Sequence, residues 1–153
     1  MTARIAATLV LTALSPLVAP RPASADVHPC DLVRRADVAS VLHWTYTGRQ
    51  TRTYQVARAS GSICTLQAKE GSIVVTVPDH GASFLANNDL VDPFYNGYGR
   101  RYAIHGAVMQ LYNDTAYVKR NGRTAAVQAL PNSGAPTPDD VIALGTLVAH
   151  RLP

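Results

Sequence analysis

Residues 62–77, SICTLQAKEGSIVVTV, read as two β-strands joined by a tight turn. Ile63, Thr65 and Gln67 alternate with Cys64, Leu66 and Ala68, the period of two that sends successive side chains to opposite faces of a strand. Lys69-Glu70-Gly71 supplies the turn, with a glycine available for positive φ. Beyond it Ile73, Val75 and Val77 form one apolar face, and Cys64 falls on the same side as Leu66. A hairpin with one apolar face needs a second layer to cover it.

Working outward, Trp44 to Ala57 mixes Trp44, Tyr46, Tyr54 and Val56 with Thr and Arg, a β-favouring composition that fits one strand or two. Before it, Val38, Val41 and Leu42 share a helical face and predict a short helix over Arg35–Leu42. After the hairpin, Pro78 ends the strand, and Asp79 is expected to cap a helix carrying Phe84, Leu85 and Leu90. DPFYNGYGRRY, residues 92–102, reads as a loop. AVMQLY, TAYVKR and RTAAVQAL then read as three short strands, with turns at Asn113-Asp114 and Asn121-Gly122. Thr137 is the expected N-cap of a last helix, Pro138 its first residue, and Val141, Leu144, Gly145 and Val148 its buried stripe. The expected architecture is α+β: an antiparallel β-sheet with short helices packed on one face, in the order helix, strands, helix, strands, helix.

Residues 1–25 form the expected signal peptide, with an apolar run from Ile5 to Val18 and Ala23-Ser24-Ala25 before a cleavage point between Ala25 and Asp26. The run is short for a membrane span and interrupted by Pro16, Pro20 and Pro22. Residues 26–153 are then a single secreted α+β domain of 128 residues, long enough for one core. The mature chain, expected not to span a membrane, holds 12 basic and 10 acidic residues. Such a weak excess of positive charge argues against a nucleic-acid partner.

The two cysteines, Cys30 and Cys64, set the next question. A lipid-carrying cysteine directly follows its cleavage site, where this chain has Asp26. A nucleophile or metal ligand needs an unpaired thiolate. An exported chain with one pair of cysteines favours a disulfide between Cys30 and Cys64.

Candidate chemistry is sparse. His28, His43, His80, His105 and His150 form no zinc-binding spacing, so no metal site and no cofactor are expected. There is no G-x-S-x-G elbow, and Asp79-His80 beside Ser83 fits helix capping better than a hydrolytic triad. Glu70 is the only glutamate and sits in a turn, so no carboxylate pair stands out. The strongest recognition candidate is YNGYGRRY, residues 95–102, where Tyr95, Tyr98 and Tyr102 offer amphipathic rings and Arg100 and Arg101 offer donors.

PCDL near the mature N-terminus, the helix DVASVL, a second cysteine opening a strand, IVVTV, the Asn121-Gly122 hairpin and the ending LVAHRLP together resemble a family of small exported actinobacterial proteins and lipoproteins of unknown function. The resemblance spans most of the mature chain and implies an extracytoplasmic α+β domain with a Cys30–Cys64 bridge; it implies no catalytic residue. Two departures stand out. Many relatives keep a lipidated cysteine, and a glycine commonly ends the first helix where this chain has Leu42-His43-Trp44. The expected function is that of an exported, non-enzymatic binding or interaction protein whose partner is a protein or an envelope polymer. The alternatives are a secreted hydrolase of envelope polymers and a secreted protein inhibitor.

Overall fold

The computed structural model describes residues 27–56, 59–79, 84–86, 89–91 and 99–153. The expected leader, its cleavage point, and Tyr95 and Tyr98 lie outside the described residues. Two short helices, α1 (Pro29–Leu32) and α2 (Arg35–Leu42), precede strands β1 (Tyr46–Val56), β2 (Ala59–Ala68) and β3 (Gly71–Pro78). A separate pair, β4 (Phe84–Ala86) and β5 (Asp89–Val91), follows. Then come β6 (Arg100–Ile104), β7 (Ala107–Tyr112), β8 (Thr115–Arg120) and β9 (Arg123–Pro131), and a helix α3 (Pro138–Arg151).

The main sheet has seven strands in the order β1-β2-β3-β9-β8-β7-β6, every neighbour antiparallel. Two meanders therefore meet where β3 pairs β9. The hairpin read from the sequence is β2-β3, with Leu66 opposite Ile73 and Cys64 opposite Val75. On its buried side Cys64, Leu66, Ile73 and Val75 line up with Val127 and Ala129 of β9, then with Ala116, Val118 and Met109.

Helices cover this face. Val141, Leu144, Val148, Leu152, Leu32 and Val38 join the strand residues in one core. At Gly145 a Cβ would come within 2.7 Å of Ala116 Cβ and would also collide with the Met109 thioether. The glycine lets α3 lie close to β7 and β8. Thr137 caps that helix as expected: its hydroxyl accepts from Asp140 N at 3.2 Å, and the Asp140 carboxylate accepts from Thr137 N at 3.2 Å.

Two segments differ from the sequence expectation. No helix holds Phe84, Leu85 and Leu90; Phe84 pairs with Val91 and Leu85 with Leu90 as antiparallel strands. Phe, Leu and Val suit a strand, and Asn87-Asn88 between the runs are poor helix formers. Asp79, the expected cap, instead extends the β2-β3 pairing by donating its N–H to Ser60 O at 2.9 Å. Arg100, Arg101 and Tyr102 are not in a loop but open β6, where they pair with Leu111, Gln110 and Met109. Within the stretch expected as one strand or two, Tyr46–Val56 form one long strand, β1, with a bulge between Tyr46 and Gly48.

The end of α2 explains the missing glycine. His43 takes the left-handed conformation, φ 57°, that glycine most easily adopts. Its N–H donates to Ala39 O at 3.1 Å, and Trp44 N–H to Val38 O at 3.2 Å, satisfying carbonyls that the helix end would leave open.

Candidate interaction surface

The sheet has a second face, and its chemistry differs from the core. Side chains alternate along each strand, so Arg101 of β6 shares this face with Gln110, Tyr117 and Ala126, each directly opposite the next. One register step away, Tyr112, Thr115, Gln128, Val74, Thr65 and Gln50 form a second cross-strand row spanning six strands. Amides, hydroxyls and two tyrosines thus outnumber apolar Val74 and Ala126 in these rows, unlike the helix-covered side.

Burial divides this face. Gln110 is 1% exposed, Thr124 3% and Tyr117 4%, whereas Tyr112 reaches 36% and Arg101 is exposed. The Tyr117 hydroxyl bonds the Thr115 side chain; burial is the largest effect on its acidity and raises its pKa, the Thr115 bond pulls back, and Tyr112 pushes further up. Tyr117 is therefore a neutral phenol, usable as donor or acceptor but not as a base. At the far corner, the Tyr54 hydroxyl lies over Gly61 of the neighbouring strand, where a Cβ would meet it at 2.8 Å. Burial, then the Asp79 charge, raises the Tyr54 pKa as well.

The residues singled out from the sequence divide between the faces. Arg100 and Tyr102 alternate onto the helix-covered side, where Tyr102 is half-buried and packs against the core. Arg101 alone of the described three joins the polar face. Tyr112, Thr115, Tyr117 and Gln110 were not among the sequence candidates, yet QLYNDTAY carried the signal. A turn at Asn113-Asp114 places Tyr112 opposite Thr115 and Gln110 opposite Tyr117, all on one side.

Other ionisable groups serve the scaffold. Asp37 accepts from Arg34 N at 2.6 Å and pairs with Arg151. Glu70 accepts from Thr45 N at 2.7 Å and from the Thr45 hydroxyl at 3.0 Å, tying the β2-β3 turn to the start of β1. The Thr45 backbone bond is the largest cause of a lowered Glu70 pKa.

Cys30 and Cys64 form a disulfide, with Cα atoms 5.2 Å apart. Both are buried, so the bridge fastens α1 to the middle of β2 from inside the core. Among the described residues no group of three or more His, Cys, Asp or Glu side chains is placed to hold a metal ion. Among the same residues no helix is long and apolar enough to cross a membrane.

No protein family, curated protein or solved structure matches the chain. The functional reading therefore rests on residue chemistry and on the fold.

Proposed function

We propose that this protein is an exported, disulfide-stapled binding or interaction domain without catalytic activity, acting at or outside the cell envelope on a protein or an envelope polymer. The observation that carries the reading is the polar face of the sheet: Arg101 and Tyr112 are exposed on it, Thr115 and Gln128 are half-buried beside them, and buried Gln110 and Tyr117 hold the rows in place. Tyrosine, arginine and amide side chains on a rigid sheet give large contact area and directional hydrogen bonds at low entropy cost. Tyr95 and Tyr98, close in sequence to Arg101, are a second part of the proposed binding set, together with Arg100 and Tyr102, which alternate onto the opposite, helix-covered side.

The disulfide supports the compartment, because such bridges persist where the medium is oxidising. The proposed leader, residues 1–25, cleaved between Ala25 and Asp26, accounts for delivery there. Membership in the exported actinobacterial family, with release replacing lipid anchoring, is part of the same proposal.

Immobilised mature protein incubated with culture supernatant and envelope fractions tests the reading. Wild type should retain a partner, and Arg101→Ala/Tyr112→Ala and Tyr98→Ala/Arg100→Ala should each lower recovery. Equal recovery from all three removes this surface from the interaction. Cleavage of an envelope polymer by the purified chain overturns the non-catalytic reading.

A further inference from the structure

The fold brings together two histidines that no spacing in the sequence connects. His105 sits at the tip of the β6-β7 hairpin, between Ile104 and Ala107, which pair across the turn. It has φ 47° and Gly106 φ 78°, the positive pair that a two-residue hairpin turn requires. His150 lies in the last turn of α3. Both are exposed, and their ring centroids are 4.1 Å apart with the planes tilted by 39°.

The neighbourhood leaves the ring nitrogens available. Among the described residues neither imidazole takes part in a hydrogen bond or an ion pair. The open carbonyls at the end of α3 are already engaged: Arg120 Nη1 donates to Ala149 O at 3.0 Å and His150 O at 3.4 Å. That guanidinium fixes the helix terminus beside the hairpin tip, so both histidines stand on anchored backbone.

The spacing suits chelation. An ion held about 2.0–2.1 Å from one nitrogen of each ring requires centroids about 4.5–5 Å apart for bond angles from square-planar to tetrahedral. The observed 4.1 Å is within a small side-chain rotation of the lower figure. We infer that His105 and His150 form a two-imidazole surface site for a divalent transition ion, with Cu2+ preferred over Ni2+ and Zn2+ and water completing the coordination. The order follows the general affinity series for nitrogen ligands, and the tight ring spacing favours the tetragonal geometry of Cu2+. Independent of the polar sheet face, the site adds ion capture or metal-dependent docking to an interaction domain.

The test uses the untagged mature chain titrated with CuCl2, NiCl2 and ZnCl2, compared with His105→Asn and His150→Gln, every chain also carrying His28→Asn because a free Asp26 amine with His28 at the third position would itself chelate Cu2+. Asparagine tolerates the left-handed turn position and glutamine the helix, so both variants keep the fold; matching circular dichroism checks this. The chain with His105 and His150 intact should bind one equivalent of Cu2+ with at least two nitrogen ligands by electron paramagnetic resonance. Each variant should lose one nitrogen and bind about tenfold or more weakly, since the second imidazole no longer acts at high local concentration. A His43→Asn control should bind like the chain with both imidazoles. Unchanged affinity in either His105→Asn or His150→Gln, or loss of binding in His43→Asn, overturns the assignment.

Discussion

Arg151, in the last turn of α3, forks onto the carboxylate of Asp37 in the first turn of α2, 114 residues earlier in the chain. Arg151 Nη2 donates to Asp37 Oδ1 at 3.0 Å, Nη1 donates to Oδ2, and Nη1 also reaches Leu32 O at 3.1 Å. One guanidinium therefore ties the C-terminal helix to both N-terminal helices. The Asp37 carboxylate also receives the Arg34 backbone N–H, so it closes α2 from within its own chain segment.

Asp37 should make stability acid-sensitive. Burial alone would raise its pKa, but Arg151 and the Arg34 N–H hold it below the ordinary carboxylate value of 3.8. A depressed folded-state pKa contributes stability that is complete above the unfolded value and is lost as pH falls through the folded one. Asp37→Asn should cost about 1.5–3 kcal/mol at neutral pH, the scale of a charged hydrogen bond. The gap between wild type and variant in urea unfolding should shrink below about pH 4, where the unfolded carboxyl takes up its proton. A gap that stays constant down to pH 2 contradicts the assignment.

The Cys30–Cys64 bridge closes a 34-residue separation. The chain-entropy model values that closure at about 3.5–4 kcal/mol, provided the native state is unstrained. Cys30→Ser/Cys64→Ser should lose stability of this order in denaturant unfolding. Secreted wild type should show no alkylatable thiol by non-reducing mass spectrometry, whereas two free thiols would remove both the staple and the argument for an oxidising compartment.

How far these features could be read in advance depended on the range of the contacts. The β2-β3 hairpin, α2, the three strands from Ala107 to Pro131 and the Thr137 cap were legible because alternation, helical spacing and turn residues act over a few positions. The β4-β5 pair was not legible, since Asp79 after Pro78 resembles a helix cap and a three-residue strand has no period of its own. The β6 edge was hidden by the Gly and Pro residues just before it. Asp37 with Arg151 and His105 with His150 arise from docking α3 onto the sheet, which no local pattern encodes. The polar face lay in between: each Tyr, Thr and Gln was visible, but their common side follows only once the register is known.

Gly145 tests that docking directly. An added Cβ would press on Ala116 Cβ, which cannot rotate away, and on the Met109 thioether, which can. The helix-propensity gain of alanine over glycine is about 1 kcal/mol, against about 1–3 kcal/mol for overpacking a tight core. Gly145→Ala should therefore be neutral to about 2 kcal/mol destabilising, and Gly145→Val clearly worse, because branching at Cβ adds bulk and lowers helix propensity. Met109→Ala should relieve part of the Gly145→Ala cost, leaving the double variant more stable than the sum of the two single effects. Strict additivity would place α3 farther from β7 than the close approach found here.

The polar face makes a prediction of opposite sign for stability and binding. Tyr112 is partly exposed and Arg101 exposed, so Arg101→Ala/Tyr112→Ala should change stability by less than about 1 kcal/mol while lowering partner recovery. Tyr117 is 4% exposed, and Tyr117→Ala should cost about 3–5 kcal/mol through cavity formation alone. Tyr117→Phe separates the two roles. It keeps the ring, removes the bond to Thr115 and should cost about 0.5–1.5 kcal/mol, the net value of one hydrogen bond. If Tyr117→Phe and the surface pair both leave partner recovery unchanged, the row serves only to hold β7, β8 and β9 together, and recognition must reside elsewhere on the chain.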